Sequence, residues 1–151
     1  MALIDRMKLS AFSNAGMRSF FGTDFDTFRF FDQQLPTGEI AKGTCLRVNA
    51  SVSEAVNYLH NGENRLTMPR VQFDVLDVDP VRANQATAAV QAWLQTGGAN
   101  FVDNRWLTSP LSTSGRPSNF RLNTRSALEW RKTPQPVPVT CLDYRIYNVE
   151  P

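Results

Sequence analysis

The stretch from Arg70 to Gln95 constrains the fold more than any other part of the chain. Val71, Phe73 and Val75 alternate with Arg70, Gln72 and Asp74, and a period of two is that of a strand with one apolar and one polar face. The pattern then changes within a few residues. Asp79 suits an N-cap, Pro80 a first helical turn and Gly97-Gly98 a stop, so a helix is predicted over Val81 to Gln95. Ala83, Ala86, Val90 and Trp93 recur on one face at three- and four-residue steps, while Asn84, Gln91 and Gln95 face away. The small alanines let such a helix lie close on a sheet.

The flanking segments supply the rest of that sheet. Leu3, Met7 and Ala11 mark a short amphipathic helix in the stretch from Leu3 to about Phe21, interrupted near Ser13, Asn14 and Gly16. Strands are predicted at Thr27 to Phe31, which ends on the turn Leu35-Pro36-Thr37-Gly38, and at Thr44 to Ser51, where Leu46, Val48 and Ala50 alternate with Cys45, Arg47 and Asn49. Val52 to Pro69, with His60-Asn61-Gly62 near its centre, has the turn chemistry of a long hairpin tip. Thr108 to Asn119, rich in Ser, Thr, Pro and Gly, is expected to be a long surface loop. A hairpin follows: Phe120 to Trp130 as one strand, bent around Thr124 to Ser126, and Val139 to Val149 as the other, with Leu142, Tyr144 and Ile146 on one side. Pro134, Pro136 and Pro138 exclude helix between them. The predicted class is α+β: a mixed, mainly antiparallel sheet of about five strands with two helices packed on one face, in a single domain spanning residues 1–151.

Composition narrows the function. A formal charge of +2 gives no global field toward nucleic acid or an anionic membrane. Asp5, Arg6 and Lys8 break the amino-terminal segment before a signal-length apolar run forms, and no later stretch approaches a membrane span. The expectation is no membrane partner, and a protein that stays in the cytoplasm where it is made. Cys45 and Cys141 are too few for a cysteine-rich zinc site, and free thiols are favoured over a bridge in a reducing compartment.

No catalytic constellation stands out. The single histidine, His60, is expected in the Asn61-Gly62 turn, so a Cys45 or Cys141 nucleophile would depend on a base in a loop. Asp74, Asp77 and Asp79 have the look of a metal cluster, but a polar strand face, a connection and a helix cap account for them more simply. Gly97-Gly98 follows a helix, the reverse of a phosphate-binding arrangement. The expectation is no catalytic, cofactor or metal site.

The strongest charge feature is Arg116, Arg121, Arg125, Arg131 and Lys132, opposed in that stretch only by Glu129. Arg121, Arg125 and Arg131 share the odd-numbered face of the expected strand. They form either a strip facing DNA or an acidic partner, or a merely solvated sheet face, the latter favoured for any single arginine. With His60 and Trp106 these five are the candidate interface or channel residues.

Three stretches, FGTDFDTFRFFDQQLPTG, MPRVQFDVLDVDPVRANQATAAVQAWL and VTCLDYRIYNVE, resemble the tail-completion or tail-terminator family of long-tailed bacteriophages and related gene-transfer particles. The resemblance covers roughly Gly16 to Val149 and departs from the usual pattern at Phe101 to Asn119 and in the proline-rich final hairpin. It implies a subunit of a hexameric ring at the head-proximal tail end, which caps the tail tube, stops its polymerisation and meets a neck or head-completion protein, with possible non-specific contact to DNA in the channel. Such a protein is made in the host cytoplasm and resides in the virion. Alternatives are a head-completion or neck connector protein, a small nucleic-acid-binding module using the arginine strip, and a hydrolase using a cysteine with His60.

Overall fold

A computed structural model describes residues 3–36, 38–50, 55–56, 65–67, 70–97, 106–122 and 135–150. Helix α1 (Leu3–Ser13) and helix α2 (Ala15–Phe21) are separated at Asn14. That residue closes α1 through its backbone N–H to Ala11 and caps α2 by accepting from the Met17 N–H at 3.1 Å. The predicted interruption is therefore a cap, and one expected helix becomes two. Strands β1 (Phe30–Asp32), β2 (Cys45–Ala50), β3 (Ala55–Val56), β4 (Arg65–Thr67) and β5 (Arg70–Leu76) follow. Next come helix α3 (Pro80–Ala92), a π-helical turn over Trp93–Gly97, and the long strands β6 (Trp106–Leu122) and β7 (Gln135–Glu150).

The strands form one sheet of order β1-β2-β5-β7-β4-β3, with β6 also on β7. Only β1 runs parallel to its neighbour. The register of β4 on β7, Arg65 opposite Glu150 to Thr67 opposite Asn148, continues without slip the register of β5, Arg70 opposite Arg145 to Leu76 opposite Val139. Thus β4 and β5 occupy one position beside β7, and β3 pairs with β4 as β2 pairs with β5. Counted by position the sheet has the expected breadth of about five strands, in an α+β fold.

One face of this sheet meets the helices. Leu46, Val48, Val71, Phe73, Val75, Leu142, Tyr144 and Ile146 pack with Met7 and Ala11 of α1, Met17 and Phe21 of α2, and Ala86 and Val90 of α3 in the larger core cluster. Trp93 is fully buried at its centre. Its ring meets Phe30 and Phe73 edge-on at centroid distances of 6.5 and 6.0 Å, and its Nε1–H donates to Ser10 Oγ at 2.8 Å. The other face carries a smaller cluster at one end: Cys45, Leu76, Val137, Val139 and Cys141, joined by Leu35 and Ile40 from the segment between β1 and β2. Arg29 fastens this segment by donating from Nε to the Thr44 carbonyl at 2.7 Å and from Nη2 to the Phe20 carbonyl at 2.9 Å. Gly43 has φ +151°, and a Cβ there would lie 2.8 Å from Arg29 Nη2, so this approach needs a glycine.

Several expectations are corrected. Thr108 to Asn119 is not a loop but part of β6, paired with β7 and irregular between Pro110 and Ser112 and between Pro117 and Arg121. The strand ends at Leu122, so most of the predicted Phe120 to Trp130 strand lies outside the described residues. Pro136 and Pro138 sit inside β7. They precede Val139, where pairing with β5 ends, so β6 alone is the neighbour there among the described residues and a missing N–H on the other side breaks no ladder. Thr27 belongs to a 3-10 turn, Phe25–Thr27, and β1 begins only at Phe30. Cys45 shares its side of β2 with the polar Arg47 and Asn49 but is itself buried inside the second cluster.

Because Trp93 joins α3 to α1, β1 and β5, Trp93→Ala is expected to cost about 3–5 kcal/mol, the range for truncating a large buried aromatic. Trp93→Phe keeps most of the packing but leaves Ser10 without its donor, and should cost less. Thermal melting of both variants checks the order.

Candidate functional site

Of the sequence-derived candidates, Trp106 opens β6 opposite Asn148, Arg116 stands opposite Val139, and Arg121 stands opposite Pro136. The strand irregularity between Pro117 and Arg121 falls between the two arginines, and β6 ends one residue beyond Arg121. Of the three arginines expected to share one strand face, Arg121 alone falls within the described residues, so the strip as a whole lies outside them. Arg125, Arg131, Lys132 and His60 lie outside them.

The structure instead brings together a polar ladder on the sheet face opposite the helices. Cross-strand register aligns Arg47 with Asp74 and Cys141, then Asn49 with Gln72 and Asp143, then Arg70 with Arg145. Arg47 donates from Nε and Nη2 to Asp74 Oδ2 at 3.0 and 2.8 Å, and Gln72 Nε2 donates to Asp74 Oδ1 at 2.7 Å. Arg70 donates from Nε to Asp143 Oδ2 at 2.7 Å and also from Nη2 to the same oxygen. Asp143 Oδ1 is buried without a hydrogen-bond partner. Asn49, Arg70, Gln72 and Asp143 line a small open pocket of about 180 Å³. The alternation of polar residues along β2, β5 and β7 marks this face in the sequence. Which arginine meets which carboxylate depends on register, which no local pattern supplies.

The carboxylates that suggested a metal cluster are engaged differently. Asp79 caps α3 as expected, accepting from the Val81 N–H at 3.0 Å. Asp77, however, is fully buried and not part of a solvated connection. It accepts from Arg82 Nε and Nη2 at 2.6 and 2.9 Å, from the Asp79 N–H at 2.9 Å, and from the Thr44 hydroxyl. Asp74 is likewise buried rather than placed on a solvated face. Both carboxylates are committed to protein donors, and no group of three metal-ligating side chains occurs among the described residues.

Burial pushes the Cys45 thiol up to about 12, against the lowering influence of Arg29. A thiol so raised stays protonated near neutral pH and is a poor nucleophile. Cys45 and Cys141 are both free and buried, as the favoured sequence reading had it. No described helix is long and apolar enough to cross a membrane.

No protein-family model matches the chain, and no curated protein matches it. A solved structure does. The chain shares its fold with a chain of a structure described as "Virion of native gene transfer agent (GTA) particle", at a TM-score of 0.59 and 18% identity, over 99% of this chain and 96% of that one. At that identity the likeness is one of fold. Its near-complete coverage in both directions means that the likeness extends along the chain and is not confined to one element.

Burial works against ionisation of Asp77, but the hydrogen bonds from Arg82, Thr44 and the Asp79 N–H outweigh it and hold the carboxyl below its ordinary value. A depressed folded pKa contributes stability that is present above the unfolded pKa and lost as pH falls through the folded one. Asp77→Asn should therefore destabilise the protein at neutral pH by roughly 2 kcal/mol, below the range for a fully buried pair because Arg82 is half exposed. Denaturation at several pH values checks this: the gap between variant and parent should narrow in acid.

Proposed function

We propose that this protein is a structural subunit of a virion, assembling into a hexameric ring at the head-proximal end of a phage-type tail. There it caps the tail tube, halts tube polymerisation and joins the tail to a neck or head-completion protein. The observation that carries this reading is the fold match along nearly the whole of both chains to a component of a gene transfer agent virion. It agrees with the resemblance of three sequence stretches to the tail-terminator family.

The architecture suits the role. A ring subunit needs a stiff body and surfaces that reach its neighbours. Trp93 and the aromatic contacts around it supply the body. The β6–β7 ribbon continues past Leu76, the last residue of β5, and supplies reach at one end; β3 and β4 continue the sheet at the other. Head-to-tail contacts that close after a fixed rotation turn such subunits into a ring.

We also propose that the role involves no catalysis. The Cys45 thiol is held protonated, and the buried carboxylates serve ion pairs and a connection. Replacing His60, Cys45 and Cys141 together with Ala, Ser and Ser should leave assembly intact in a variant whose circular dichroism is unchanged. A folded triple variant that yields no infectious particles would contradict the non-catalytic role.

The ring itself is tested by mass photometry and negative-stain microscopy of the full chain, alone and with purified tail tubes. Closed rings that decorate one end of each tube are expected. Decoration of heads but not tubes would assign the protein to the neck, and a monomer that binds neither would overturn the reading.

A further inference from the structure

We draw no further inference here: the strongest candidate, the small polar pocket between Asn49, Arg70, Gln72 and Asp143 on the sheet face opposite the helices, sets a guanidinium beside a carboxylate and so selects no one class of partner, and its unpartnered acceptor, Asp143 Oδ1, is itself buried beyond the reach of an incoming ligand.

Discussion

The indole of Trp93 is the point at which the helical layer and the sheet are held together. Its ring lies between Phe30 of β1 and Phe73 of β5, and its N–H is satisfied by Ser10 of α1. Four elements distant in sequence thus share one side chain. A buried indole contributes both large apolar area and a single directional bond, so it fixes where α1 sits as well as how closely. The alanines of α3 allow the approach: Ala83 and Ala86 are buried and α3 can lie low on the sheet.

Buried charge does the corresponding work on the connections. Asp77 ties the start of β2, through Thr44, to the start of α3, through Arg82 and the Asp79 N–H. Removing one member would leave the other charge uncompensated, which is more costly than never having buried the pair. Asp74 holds Arg47 and Gln72 across the β2–β5 pair in the same manner. The sheet is consequently two-sided: apolar under the helices, and polar with a small apolar end on the face that carries the ladder.

The parts of this architecture with strong local patterning were legible in the sequence. The alternation of β5, the cap at Asp79 and the apolar face of α3 all stand where periodicity and capping chemistry put them. The break at Asn14 was legible as an interruption, though not as a cap. β6 was not legible, because its Ser, Thr, Pro and Gly residues describe a loop by composition; its strand conformation comes from pairing with β7, and its bulges, with no second strand neighbour among the described residues, make its prolines tolerable. The burial of Asp74 and Asp77 was hidden for a related reason. An aspartate on a polar-looking face is indistinguishable from a solvated one until its arginine, 27 residues away in the case of Arg47 and Asp74, is brought beside it. The candidate arginines of the 116–132 stretch were chosen for density of charge, whereas Arg70 and Arg145 are single residues that only register makes neighbours.

The unbroken register of β4 and β5 along β7 gives the sheet a mechanical direction. β7 is a 16-residue strand with β6 on one side and β5 followed by β4 on the other. Its ladder bonds lie perpendicular to the strand, so tension along its axis loads them together in shear. Tension across the sheet opens them one after another, as a zipper opens. A subunit oriented with β7 along the line of pull would yield only at forces far above those that peel its edges, which makes the strand's axis the direction in which this fold is best able to transmit tension.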